Sequence, residues 1–287
     1  MSIFTRRTHS VPTVLAVAVL GTAAVLAIAA PVFAPYDPGT QDLGAALLPP
    51  FTGGHLMGTD ELGRDVLSRL VHGGRPIMFI AFLSSAIALV VGSLAGLFAG
   101  YFGGFAGAAV MRLADLQLSF PPIALAVLLA AILSPGIKSA LIAISLVTWP
   151  QVARVVRADT MRVATSDYVL LARVAGLSRM QVLTRHVAPN VGTVMIVIGT
   201  INLGVAVIFS AAMSFLGVGV QAPLADWGNM LASGTQYLNQ WWLVVLPGLV
   251  ITAVVLSVSI LGDALRDRLD PRSASGGSRG PSVQVGV

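Results

Sequence analysis

The chain has 287 residues, of which 56% are hydrophobic and only 10% are charged. A soluble domain of this length needs far more charge to cover its surface, so the composition excludes one and predicts an integral membrane protein. The sequence contains no cysteine, which excludes disulfides, thiol catalysis and thiolate metal sites. We therefore expect an all-α fold that crosses a membrane several times.

Six apolar segments are long enough to be transmembrane helices, each of which takes roughly 20 residues. In chain order they cover residues 11–34, 77–101, 116–133, 139–153, 191–215 and 241–261. The first segment also resembles a signal peptide, because Arg6 and Arg7 precede it and a small-residue sequence ends it. Its apolar core is longer than that of a usual signal peptide, which favours a retained helix.

The basic residues predict how these helices are oriented. With six crossings, only four of the 17 basic residues lie on the side opposite the N-terminus, namely Arg64, Arg69, Arg75 and Lys138. The positive-inside rule then places the N-terminus (1–10), the loop 154–190 and the tail (264–287) in the cytoplasm. Residues 35–76 form an extracytoplasmic segment, and residues 77–263 form a five-helix core. The excess of Arg over Lys indicates a bacterial source and hence the bacterial cytoplasmic (inner) membrane.

The extracytoplasmic segment carries a charged, glycine-punctuated stretch at residues 58–65. Thr59 is placed to cap a helix that begins at Asp60. We hypothesise that Asp60, Arg64 and Asp65 shape the outer entrance or dock a partner. A self-contained helix with local ion pairs explains the same residues equally well. Farther along the chain, Trp227 is predicted at the depth of the membrane interface.

Residues 166–175 form the first arm of a polar helix–Gly–helix pattern between apolar blocks. Ser166 is placed to cap this arm, with Asp167 in its first turn, where the helix dipole favours a negative charge. Gly176 suits its end, because glycine tolerates a left-handed backbone. Tyr168, Ala172 and Gly176 recur every four residues, so we expect them to share one contact face.

The second arm opens at Ser178, and Gln181 three residues later completes a capping box. Pro189 is expected to end it. A polar helical hairpin held between membrane spans is typical of a contact surface. A DNA-binding helix-turn-helix would need an additional helix and core that this stretch lacks, while an ordinary cytoplasmic loop remains an alternative.

We find no pattern for catalysis or metal binding elsewhere. The stretch GTDELGRD lacks the Gly-Lys-Ser/Thr of a phosphate loop, and the four histidines show no ligand spacing: His9, His55, His72 and His186. Asp115 follows Arg112 by three residues, which favours a local ion pair over a proton relay. No carboxylate falls near the middle of a predicted span, which indicates an external energy source. We predict no cofactor and no metal in this chain.

Residues 166–190 resemble the cytoplasmic coupling motif of ABC-transporter permeases, specifically the dipeptide/oligopeptide/nickel branch. The Glu-Ala-Ala that opens the wider family's motif reads Leu170-Leu171-Ala172 here. Two further stretches, 58–75 and 214–231, are similar to outer segments of the C-type permease of peptide systems. The resemblance implies a coupling site for an ATPase at Asp167, Tyr168, Val169, Ala172, Arg173, Gly176, His186, Pro189 and Asn190. It implies an outer-face loop with Gly58, Thr59, Asp60, Gly63, Arg64, Asp65 and Trp227.

The resemblance also implies the fold and the assembly. The expected fold is that of a type I ABC importer permease, with six transmembrane helices and a cytoplasmic coupling-helix hairpin. The chain would not be an enzyme but half of a translocation path for di-/oligopeptides or related small solutes. Expected partners are a second homologous permease, two ATPase subunits that bind ATP and Mg, an extracytoplasmic substrate-binding protein and membrane lipid, with no nucleic acid. A membrane scaffold or signalling subunit, whose hairpin binds a non-ATPase partner, is the alternative.

Overall fold

The computed structural model describes residues 10–269, and this part of the chain contains α-helices but no β-strand. The first nine residues and the predicted tail beyond residue 269 lie outside the described residues. The α-helices are α1 (Ser10–Ile28), α2 (Ala30–Phe33), α3 (Val66–Tyr101), α4 (Gly104–Leu118), α5 (Pro122–Ile132), α6 (Ile137–Ala164), α7 (Asp167–Val174), α8 (Arg179–Val182), α9 (Ala188–Phe215), α10 (Trp227–Gly234) and α11 (Trp242–Leu269). A 3-10 turn covers Leu43–Ala45, and a π-helical segment covers Leu183–Val187.

Five helices are long and apolar enough to cross a membrane, and the pair α4–α5 makes a sixth crossing if it counts as one broken span. This confirms the predicted all-α, multi-span fold. The third span is wrong as a continuous helix over 116–133, because α4 and α5 meet at an angle of 92°. Pro121 and Pro122 explain the break, since proline has no N–H for the helical ladder and restricts the residue before it.

The other spans differ from the prediction mainly in their ends. α3 begins at Val66 rather than at residue 77, and α11 continues to Leu269. The basic residues near the start of α3 are tolerated because they have partners: Arg75 donates to the carbonyl oxygens of Ala27 and Ile28 at the end of α1. We call the end of the bundle with residues 34–65 and 216–241 the loop end, and the end with residues 165–187 the hairpin end.

The central contact of the bundle is a glycine seam between α3 and α6. Gly92, Gly96 and Gly100 lie four residues apart on α3, so they form one row on its surface. A Cβ built on them would lie only 2.7, 2.6 and 2.9 Å from the carbonyl oxygens of Trp149, Ala153 and Arg157 in turn. These carbonyls are also four residues apart, on α6. The two backbones therefore approach as closely as the small-residue interfaces of membrane helices allow.

Two apolar clusters lie toward the two ends of the bundle. The larger one, at the loop end, joins α3, α5, α6, α9 and α11 around Ile77, Ile80, Ile144 and Met213. The second lies at the hairpin end and consists mainly of valines from α6 to α9. The hairpin is thus packed onto the transmembrane helices rather than suspended below them.

We predict that Gly96→Ala destabilises the protein by about 1–3 kcal/mol, because its methyl group would meet the Ala153 backbone, which cannot yield like a flexible side chain. The matched change is Gly192→Ala in α9, where a Cβ meets no atom within 4 Å. That variant should be neutral or slightly stabilised. Thermal unfolding of the two purified proteins in detergent checks this, and equal unfolding temperatures would contradict the importance of the seam.

Candidate functional site

The first arm of the hairpin, α7, begins at Asp167 as predicted, but its cap is different. Ser166 occupies the N-cap position, yet its hydroxyl makes no capping bond and instead donates to the carbonyl oxygen of Val163 at 2.6 Å. The predicted side-chain cap is therefore wrong. The hydroxyl ties the start of α7 to the end of α6, which fixes the corner between them.

Gly176 ends α7 in the left-handed conformation that the sequence predicts, with φ +85°. The N–H of Leu177 donates to Ala172 O at 3.3 Å, and the N–H of Gly176 donates to Arg173 O at 3.0 Å. These two bonds define a Schellman motif. A Cβ at Gly176 would meet no atom within 4 Å, so the space beside this turn is open.

The second arm opens with the predicted capping box. The Gln181 N–H donates to Ser178 Oγ at 3.3 Å, and the Ser178 N–H donates to Gln181 Oε1 at 2.9 Å. The prediction that Pro189 ends this arm is wrong, because residues 179–215 run on as one apolar helical span. Pro189 lies in the first turn of α9, where a missing N–H is least costly.

A π-helical turn accommodates this junction. The N–H of Ala188 donates to Leu183 O, five residues back, and Asn190 Nδ2 donates to His186 O at 2.7 Å. A π turn aligns residues five apart. Val182 and Val187 consequently both point into the bundle, where they are fully buried.

The hairpin has a buried face and an exposed face. Val169, Ala172 and Val182 pack inward against valines of α6. The outward face carries apolar side chains that are largely exposed: Tyr168, Leu170, Leu171, Val174 and Met180. The predicted contact face through Tyr168, Ala172 and Gly176 is therefore wrong. Ala172 is only 7% exposed, whereas Val174 is 84% exposed.

A further contact attaches the hairpin to the bundle, and a cavity lies beside it. The Arg173 guanidinium lies over the Tyr101 ring, 5.3 Å from its centroid, so a cation–π contact joins α7 to the end of α3. Tyr168 and Asn190 line the same cavity of about 670 Å³ between α6, α7, α9 and α11, together with Arg162 and Arg266. The half-buried His186 lies on the π segment. Two motif residues that are distant in sequence, Tyr168 and Asn190, thus border one cavity.

At the loop end, Asp60 is the centre of a buried ion-pair network. Its Oδ2 lies 2.7 Å from Arg64 Nε and 3.3 Å from Arg69 Nε, and its Oδ1 accepts the N–H groups of Leu62 and Arg64. Asp60, Arg64 and Arg69 are all buried. The docking hypothesis for Asp60, Arg64 and Asp65 is therefore wrong in this form, since none of them offers a surface to a partner. They hold the segment together.

The helix cap was predicted at Thr59 but lies six residues later, at Asp65. The helix α3 begins at Val66, and its cap is Asp65, whose Oδ2 accepts the N–H and the hydroxyl of Ser68 at 2.7 Å each. His55 Nδ1 lies 2.9 Å from the other Asp65 oxygen. Thr59 instead links two parts of the loop, because its hydroxyl donates to Ala45 O and accepts from the Leu48 N–H.

The glycines and tryptophans of the loop end are packing residues. Gly58 and Gly63 have φ of +76° and +71°, and a Cβ at Gly63 would overlap the carbonyl group of Asp42. Trp227 is buried within the bundle, and its Nε1 donates to Leu70 O at 2.7 Å. Trp242, which the sequence analysis did not select, donates to Thr59 O at 3.2 Å.

Asp226 is a further buried group that the sequence analysis missed. Its Oδ1 accepts the N–H groups of Gly228 and Asn229 and so caps α10. Burial raises its pKa to about 6, and the hydrogen bonds from Asn229, Ser214 and Gly228 offset only part of this effect. An Asp immediately before the α10 segment is the signal that could have identified it.

Comparisons with known proteins agree with this architecture. The family described as "Binding-protein-dependent transport system inner membrane component" matches residues 92–275. The chain is 44% identical over 252 residues to the di/tripeptide transport system permease protein DppC of Pseudomonas aeruginosa (strain UCBPP-PA14), covering 86% of this chain and 83% of that protein. It is 37% identical over 250 residues to the probable D,D-dipeptide transport system permease protein DdpC of Escherichia coli (strain K12), covering 87% and 84%.

Among solved structures, the chain is similar to one in the MetNI methionine ABC transporter in an inward-facing conformation (the CY5 native crystal form). The TM-score is 0.59 at 21% identity, covering 71% of this chain and 97% of that chain. At this identity the likeness shows the fold alone.

We predict that Asp226 makes stability fall as pH rises. Its pKa is raised from 3.8 to about 6 on folding, so the folded protein holds this proton more tightly than the unfolded chain. The stabilisation is complete below pH 3.8 and is lost through pH 6, with a size of at most about 3 kcal/mol. Asp226→Asn keeps the Oδ1 acceptor but does not titrate.

The measurement is the difference in unfolding temperature between the native protein and Asp226→Asn from pH 4 to pH 8. Groups common to both proteins cancel in this difference. The native protein should lose stability relative to the variant between about pH 4 and pH 6 and then level off. A difference that stays constant with pH contradicts the raised pKa.

Proposed function

This chain belongs to the family of binding-protein-dependent transport system inner membrane components, and from that premise we propose that it forms half of the translocation path of an ATP-driven importer. Its cargo class is di-/oligopeptides or related small solutes. The support for this class is the relatives named for di/tripeptide and D,D-dipeptide transport, which are similar over most of the chain.

The proposed assembly contains a second homologous permease, two ATPase subunits and an extracytoplasmic substrate-binding protein. ATP and Mg bind to the ATPases, and this chain performs no catalysis of its own. The hairpin end faces the cytoplasm, as do both termini, because nearly all basic residues then lie inside. The membrane is the bacterial inner membrane.

The observation that carries the proposal is the two-faced hairpin. Val169, Ala172 and Val182 anchor it in the bundle, and its opposite face exposes Leu171, Val174 and Met180. In water, an exposed apolar row at the tip of a protein marks a protein contact. We assign this row to the groove of an ATPase subunit, by analogy with an amphipathic helix lying in an apolar groove.

The same geometry explains how ATPase motion reaches the membrane. When two ATPases close on ATP, a docked hairpin moves with them. The Arg173–Tyr101 contact transmits the movement to α3, and the helical span over residues 179–215 transmits it to α9. The bundle then rotates as a packed body, which alternates the side to which the path opens.

The experiment that tests the function is purification of the tagged chain in mild detergent, with identification of its partners and an ATPase assay. Recovery of a second permease and ATPases, with hydrolysis stimulated by a dipeptide-loaded binding protein, is the expected result. Recovery of an intact chain alone, or with unrelated partners and no hydrolysis, would overturn the importer assignment.

We predict that Val174→Asp disconnects the ATPases without unfolding the chain. The aspartate faces water in the free hairpin but would be buried in the proposed groove, so ATP-driven uptake should fall about tenfold or more. Val174→Ile keeps the apolar contact and should retain uptake. Normal uptake by a correctly inserted Val174→Asp protein would refute docking through this face.

A further inference from the structure

The break between α4 and α5 leaves polar backbone groups without partners. Leu118 O would normally accept a bond from the residue four positions on, but Pro122 has no N–H, and neither has Pro121. The N–H groups of Ile123 and Ala124 begin α5. Within residues 10–269, neither of them finds an acceptor. The intervening residues 119–122 are all exposed.

The break lies about half-way across the bundle. The Gln117 side chain reaches α6 twice: its Nε2 donates to Leu146 O, and its Oε1 accepts from Trp149 Nε1 at 3.2 Å. Leu146 is nine residues along α6 from Ile137 at the loop end, or about 14 Å at 1.5 Å per residue. The hydrocarbon core of a bilayer is about 30 Å thick. The break is therefore near the mid-depth of the membrane.

Gln117 has a particular reason to contact this carbonyl. Pro150 lies four residues after Leu146 within α6, so Leu146 O has lost its helical donor. The Gln117 amide replaces that donor. The side chain thereby holds the end of α4 against the proline position of α6, which keeps the break where it is.

Lipid is not a suitable neighbour for the break. Irregular backbone exposed to hydrocarbon does not occur at this depth, because each unpaired group costs several kcal/mol. Such backbone is found where protein covers it or where it borders a water-filled cavity. No element of this chain between residues 10 and 269 covers residues 119–122, which are exposed.

An ion pair lies one turn away on the same face, toward the hairpin end. Asp115 Oδ1 lies 2.6 Å from Arg154 Nη2, and the two side chains are 49% and 58% exposed. The predicted pairing of Asp115 with Arg112 is therefore wrong. Asp115 O accepts bonds from the N–H and the hydroxyl of Ser119, so the pair and the break share one face. Arg154 lies 17 residues along α6 from Ile137, or about 25 Å, which is near the hairpin-end surface of the hydrocarbon core. The polar face of α4 therefore runs from the break toward that surface.

We propose that Ser119 to Pro122 line the water-filled translocation path, on the side that faces the second permease. Gln117 is the residue that positions this surface. A row on the unbroken helix α3 provides a contrast, because Val90 and Leu94 are exposed and have only apolar neighbours in their row. That row suits lipid. The assignment rests on the proposed importer function.

The absence of cysteine from the sequence makes a direct test available. Phe120→Cys and Val90→Cys replace side chains that are both 59% exposed, one at the break and one on the α3 row. The complex, reconstituted in phospholipid vesicles, is treated with a charged, membrane-impermeant thiol reagent. Because only the thiolate reacts, and hydrocarbon suppresses it, Phe120→Cys should be modified about tenfold faster or more.

Equal, slow modification of the two variants in an active complex would overturn the path assignment. Ser119→Cys, a near-isosteric change, is measured in parallel so that the test does not depend on Phe120→Cys assembling. Labelling after denaturation confirms that every thiol is intact. ATP hydrolysis is followed in the same vesicles. Absence of stimulated hydrolysis in the complex that contains the native chain would count against the importer function itself, independently of the labelling ratio.

Discussion

The close approach of α3 and α6 is the constraint on which the rest of the structure depends. Lipid provides no hydrophobic force between apolar helices, so their association relies on close packing. Gly92, Gly96 and Gly100 allow this packing by bringing backbone against backbone. The same part of α6 carries the valines on which the hairpin rests, and α3 ends at Tyr101 below Arg173. The hairpin's position is therefore set by the seam.

Prolines break the helical ladder at several points, and the structure shows how two of these breaks are accommodated. The carbonyl freed by Pro150 is satisfied by Gln117 from a neighbouring helix. Pro189 falls in a first turn that follows a π segment. Pro121 and Pro122 differ, since their break stays open to the surroundings. In the path that we propose, the open break belongs to the functional surface, whereas the breaks at Pro150 and Pro189 belong to the scaffold.

Much of the fold could be predicted from the sequence, because the hydrocarbon core demands long apolar helices wherever the chain crosses it. The Gly176 turn and the Ser178 capping box were also predictable, since they depend on neighbouring residues only. Side-chain burial was not. Val169 and Val174 are both valines on one short helix, and only the position of α6 decides which is hidden. Likewise, Thr59 and Asp65 are both good caps, and the long-range bonds of Thr59 to residues 45 and 48 decide between them.

The π segment gives the hairpin a rotational setting of its own. One residue of an α-helix corresponds to about 100° around the axis and about 1.5 Å along it. The additional residue in Leu183–Val187 therefore offsets the phase of the hairpin relative to α9. Shortening this turn by one residue would rotate α7 and α8 about the axis of α9 without altering either helix. The direction in which the exposed apolar row of the hairpin faces is thus set by a single turn, and the residues that form the row lie outside that turn.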